Sequence, residues 1–169
     1  MNATKERQLA ISLAKLRPHD ALKQAREVSK PWFRAQALSW VARFTDGNPV
    51  AIAAEAAKAA AEGDDRYQQC AVRAWEIAAL AERGHVSEAR KRLRDILAVI
   101  QYVEPASSRS EALFLLLQAG AKIAGEDAEE VYEVMKASCR PEEHWRCKRA
   151  LRDGARMISG ELEARPFFW

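Results

Sequence analysis

Four glycines divide the chain at nearly even intervals: Gly47, Gly84, Gly125 and Gly160, separated by 37, 41 and 35 residues. Each follows a stretch of helical pattern, where a residue without a Cβ can take up the left-handed conformation that closes a helix. Further breaks fall between them at Pro31, Gly63, Pro105 and Pro141. A unit of this length, split once, is a pair of helices, and its recurrence leaves few architectures open to 169 residues.

The segments between the breaks carry their own helix signals. "GNPVAIAAEAAKAAAEG" offers Asn48 as N-cap, Pro49 at the first helical position and Gly63 past the end. "SSRSEALFLLLQAGAKIAG" places Ser108 three residues before Glu111, the spacing of a capping box ahead of an apolar run. In "VSEARKRLRDILAVI", Val86, Ala89, Leu93, Ile96, Leu97 and Ile100 fall on one helical face. About a fifth of the chain is alanine, which loses no side-chain entropy in a helix. No segment alternates with period two for long enough to suggest a strand.

An all-α chain is expected, with about nine helices over 4–16, 20–29, 31–45, 48–62, 65–83, 86–101, 107–124, 127–138 and 141–159. Helices 65–83 and 107–124 are apolar around most of their circumference and so should be buried between neighbours. The implied architecture is a right-handed α-solenoid of about four hairpins. It forms a single domain over 1–160, from an N-terminal helix 4–16 and units 18–47, 48–84, 85–125 and 126–160, followed by a tail at 161–169.

"AVRAWEIAALAERGHVSEARKRLRDIL", with Gly84 at the turn and Ala89 and Leu93 beyond it, resembles a tetratricopeptide (TPR-like) unit. The neighbouring units keep the glycine but carry Ile52 and Glu130 where that alanine would stand. Their length and the bulk of their second helices are similar to HEAT-like repeats. Either resemblance implies a superhelical scaffold that holds a protein or peptide in a concave groove, without catalysis.

Composition narrows the functions. With 49% apolar and 30% charged residues the chain is neither disordered in bulk nor a membrane protein. The opening "MNATKERQLAISLAKL" has charge where a secretion signal needs an apolar stretch, and no apolar run is long enough for a membrane span. Three sparse cysteines, Cys70, Cys139 and Cys147, suit a reducing cytoplasm. A net charge of +3 is too small to imply a nucleic-acid partner by itself.

Arg34, Arg66, Arg109 and Arg146 stand at the starts of the second helices, where the helix dipole opposes a cation. They form either a structural ladder, paired with acids such as Glu27, Asp64, Glu104 or Glu142, or a cationic stripe that binds carboxylates along a groove. With Trp32 as an aromatic anchor beside them, they are the candidate binding residues for an acidic peptide or helix.

A second cationic surface, Lys148, Arg149, Arg152 and Arg156, lies along one side of the last helix and is the candidate for an alternative, nucleic-acid-associated role. Acids of the preceding helix, Glu126 to Glu133, are expected to neutralise part of it. No aromatic residue is expected to interleave with it for base stacking. Arg90, Lys91 and Arg94 read as the solvated back of their helix.

Catalytic and metal signals are scarce. There is no phosphate-binding glycine loop, no H-E-x-x-H and no G-x-S-x-G. "CRPEEHWRC" brings Cys139, His144 and Cys147 near one another in sequence, but the spacing is not that of a zinc site. His19, His85 and His144 read as solvated helix-end residues. No cofactor and no metal are expected, and a small helical enzyme with an unidentified site is a third function.

The sequence closes on "ARPFFW". Phe167, Phe168 and Trp169 fall where a repeat stack would leave its last apolar face open, beside Cys147, Leu151 and Ile158 of the final helix. The tail is expected to fold back as a cap there, with docking to a partner, or to a second copy as a homodimer, as the other use of its rings.

Overall fold

The computed structural model describes residues 2–168, and among them every regular element is helical. The α-helices are α1 (Ala3–Ala14), α2 (Pro18–Arg26), α3 (Pro31–Phe44), α4 (Pro49–Ala61), α5 (Arg66–Ala71), α6 (Arg73–Glu82), α7 (Val86–Leu97), α8 (Ala106–Ile123), α9 (Gly125–Ser138) and α10 (Trp145–Ile158). A 3-10 turn, Ile100–Tyr102, follows α7. The expected helix 65–83 is interrupted at Val72, where the amide of Trp75 bonds the Val72 carbonyl three residues back. Taken as one bent helix, α5 and α6 restore the expected nine.

Local chemistry accounts for most boundaries. Asn48 Oδ1 accepts from the amides of Val50 and Ala51, and Pro49 opens α4. Gly84 and Gly160 have φ of 80° and 82°, the left-handed conformation expected of residues that end a helix. Gly125 does not: it is the first residue of α9, and α8 ends ahead of it at Ile123. The capping box is also absent. α8 begins at Ala106, so Ser108 lies inside the helix and Glu111 is free to reach α10. The last helix begins at Trp145 rather than 141, because His144 is its N-cap and Nδ1 accepts from the Arg146 amide.

Each helix packs against its neighbours in the chain, and α1, α3, α6, α8 and α10 pack successively against one another in a second set of contacts. The core lies between that row and α2, α4, α7 and α9. It is rich in alanine where helices approach closely, with Leu38, Val41, Ile77, Leu80, Leu93, Leu113, Leu116, Leu117, Val131 and Met135 filling the wider spaces. At Gly154 of α10, an added Cβ would lie 3.0 Å from a ring carbon of Tyr132, so this glycine sets the α9–α10 approach.

Arginine–carboxylate pairs join helices across 36 to 39 residues of sequence. Arg43 of α3 bonds Glu82 of α6, Arg90 and Arg94 of α7 bond Asp127 and Glu130 of α9, and Arg149 of α10 bonds Glu111 of α8. Glu126, Asp127 and Glu130 of α9 thus serve α7, not the arginines of α10 as expected, and Arg90 and Arg94 are not simply solvated.

Candidate functional site

After Gly160 the chain turns back and runs extended across the α10–α8–α6–α3 row. The amides of Glu161 and Leu162 bond the Arg156 carbonyl at the end of α10. Further on, the Arg165 amide donates to Gln118 Oε1 of α8 at 3.1 Å. Phe167 then stands edge-on to Trp75 of α6, with centroids 5.3 Å apart, and Phe168 edge-on to Trp40 of α3 at 5.1 Å. Exposure of the two rings falls to 5% and 6%. The Arg43 guanidinium lies 4.9 Å from the Phe168 ring centre and also covers Trp40 and Phe44, while its charge is held by Glu82.

These rings are therefore not a cap over the open side of α10. Cys147 is already fully buried there, with its thiol directed at the Ala106 carbonyl, and the rings seat instead on Trp40 and Trp75 of α3 and α6. Trp169 lies outside the described residues. The sequence pattern does not mark Trp40, Trp75 or Arg43 as the seat of the tail. Gln118 carried a signal: it is a lone amide inside the apolar run "LFLLLQAG", and it is 6% exposed. A buried amide needs partners, and the returning main chain supplies one.

Trp32 belongs to the same aromatic row. It stacks on Tyr67 of α5 at 6.0 Å and meets Trp75 edge-on at 5.8 Å, half-buried. Beyond the rings, a cleft of about 410 Å³ lies between residues 162–165 of the tail and the facing sides of α8 and α10. Phe114, Leu115 and Met157 form its apolar floor, with Arg149, Arg152 and Arg156 set against Glu111 and Asp153 on its walls. A second recess, between Tyr67, Ser108, Trp145 and Arg146, shares the Arg149–Glu111 pair with it.

The four repeated arginines separate into two kinds. Arg109 is 9% exposed and donates to the carbonyls of Ser138 and Val103 and to Glu104, tying the end of α9 to the loop before α8. Its work is structural. Arg34 pairs with Glu62 at the end of α4. Arg66 and Arg146 are exposed, and each lies over an aromatic ring rather than a carboxylate: Tyr102 at 5.8 Å and Trp145 at 5.5 Å. The helix-start equivalence read from the sequence is loose, since these residues occupy the first, second or fourth helical position.

The basic side of α10 is exposed but internally balanced. Arg149 bonds Glu111, Arg152 bonds Asp153, and Arg156 approaches Asp153 and Glu161. Lys148 is exposed. Contrary to expectation, an aromatic residue does interleave here: Trp145 is 60% exposed and lies against both Arg146 and Arg149.

Cys139 and Cys147 are buried and free, with burial pushing the Cys139 thiol up, and His144 is committed to its cap. Among the described residues no three His, Cys, Asp or Glu side chains converge as metal ligands, and no helix is long and apolar enough to cross a membrane. Comparison with protein-family models, curated proteins and solved structures yields no match.

Proposed function

We infer that the helical pairs stack as a short right-handed α-solenoid of the TPR-like or HEAT-like kind. We read it as a cytoplasmic, non-catalytic protein-interaction module that takes an acidic extended peptide or helix along the α3–α6–α8–α10 row. The observation that carries this is the chain's own tail, which lies extended over all four helices and is held by a main-chain hydrogen bond and two ring contacts. A face able to seat one extended segment has the form needed to seat another. Acidic character in the partner is supported by Arg66 and Arg146, which among the described residues have no carboxylate partner.

One observation favours a nucleic-acid role: the exposed Trp145–Arg146–Arg149 and Tyr102–Arg66 stacks have the ring-and-guanidinium composition on which bases stack. Against it stand the acidic partners of Arg149, Arg152 and Arg156.

A panel of acidic, neutral and basic peptides of matched apolar content separates the two, read by fluorescence anisotropy with the full chain. Acidic peptides should bind selectively, and R66A/R146A should weaken them several-fold without moving the melting temperature. Absence of selectivity for acidic peptides overturns the peptide role. A low-salt gel shift with RNA or DNA that falls steeply as salt rises would establish the alternative.

A further inference from the structure

Residues 161–168 occupy their seat unevenly. The far end is plugged, with each phenylalanine in its own aromatic socket. The near end is not, because the cleft of about 410 Å³ remains open between residues 162–165 and the helices beneath. The main-chain bonds to Arg156 end at Leu162, and the bond to Gln118 is the next main-chain anchor along the described tail. The tether enters through Gly160, whose φ of 82° belongs to a turn rather than to a continued helix. On the cleft wall Arg149, Arg152 and Arg156 outnumber Glu111 and Asp153.

We propose that this seat is a recognition site for an extended segment of a partner protein in which acidic residues precede two adjacent aromatic residues, and that residues 161–168 are its resident competitor. This rests on the peptide-binding role above. Two desolvated rings set in tryptophan sockets form the concentrated anchor that dominates the energy of peptide interfaces. The tail supplies the same order of chemistry in cis, with Glu161 and Glu163 before Phe167 and Phe168. A partner with larger side chains at the near end fills the cleft and buries apolar surface that the tail leaves open. Tethering gives the tail an effective concentration on the order of millimolar, so it sets the threshold a partner must exceed.

The test uses the full chain, wild type and F167A/F168A, titrated with a fluorescently labelled peptide of residues 161–168. With its sockets vacated, the variant should bind the peptide at least about tenfold more tightly than wild type. A peptide with both phenylalanines changed to alanine should not bind. Failure of a folded variant to bind overturns the proposal, as does equal binding by both proteins, or binding that survives loss of the peptide's rings. A dimer seen by light scattering that disappears in F167A/F168A also overturns it, since the occupant is then a second copy exchanging tails. Should the double variant lose its cooperative melt, a protease site placed between Gly160 and Glu161 leaves both sides native. The cleaved tail must then exchange with labelled peptide, and a tail that stays bound without exchange overturns displacement. A chain that selects acidic peptides through Arg66 and Arg146 but gives any of these negative results keeps its peptide-binding role and loses only the aromatic sockets.

Discussion

Phe168 stands edge-on to Trp40, centroids 5.1 Å apart and ring planes at 85°, and so joins the last described residue of the chain to its third helix. Edge-to-face pairs add about 1 kcal/mol beyond the area they bury, and the Arg43 guanidinium over the same ring adds a cation–π contact. Phe168→Ala should therefore lower the unfolding free energy by about 3 kcal/mol in urea titration. Phe168→Leu should recover part of the loss through area alone. If alanine costs under about 0.5 kcal/mol, the ring is not seated in solution as described.

Arg109 and Arg66 look alike in sequence and should behave oppositely. Arg109 satisfies two main-chain carbonyls from a nearly buried position, so Arg109→Ala leaves those acceptors unpaired and should cost about 2 kcal/mol. Arg66 is exposed over an exposed Tyr102, and Arg66→Ala should stay within about 0.5 kcal/mol. Thermal melts of the two variants side by side decide it, and equal losses would return Arg66 to the structural set.

The difference between these two arginines also marks where sequence stops informing. Helices were legible because caps, prolines and apolar spacing act within a few residues: Asn48, Pro49, Gly84 and Gly160 each do what their local chemistry dictates. Gly125 begins a helix instead of ending one, because a glycine is compatible with either place and the close approach of α8 to α9 at Gly120 decides between them. Charge partners were hidden for the same reason. Nothing near Arg90 in sequence indicates Asp127, since the pairing requires α7 and α9 to be brought together first. The tail was legible as something to be buried, from its rings alone, but not as to where. That depended on Trp40, Trp75 and Gln118 lying along one line across three helices.

The two α7–α9 pairs allow a comparison at nearly fixed geometry. Asp127 is 1% exposed and receives both Nε and Nη2 of Arg90, at 2.7 and 2.8 Å. Glu130 receives Arg94 at the surface. Removing the buried acceptor leaves a partly buried guanidinium with only the exposed Glu126 to pair with, so Asp127→Ala should cost about 2 kcal/mol. Glu130→Ala should cost under about 1 kcal/mol and lose most of its effect in high salt. Chemical denaturation at two salt concentrations distinguishes them, and similar, salt-sensitive losses would place Asp127 at the surface.

Glu76 gives the molecule an unusual response to acid. It is 1% exposed in α6, bonded by Arg73 at 2.7 Å and approached by Arg92 of α7 at 3.5 Å, and its Oε2 has no hydrogen-bond partner among the described residues. Burial pushes its carboxyl above the usual range, against the pull of both guanidinium groups. An acid raised in the folded state holds its proton more tightly there than in the unfolded chain. Its contribution to stability therefore grows as pH falls from the raised value toward the ordinary carboxylate range. Glu55 runs the other way: the Arg26 hydrogen bonds hold its carboxyl low, and the stability this supplies is lost as pH falls through that lowered value. Glu76→Gln removes the first effect and leaves the second. The wild-type unfolding free energy minus that of Glu76→Gln should rise as pH is lowered from about 8 to about 5, measured by urea denaturation at each pH. A difference that shrinks over that interval would mean that Arg73 and Arg92 outweigh burial and keep Glu76 ionised in the core.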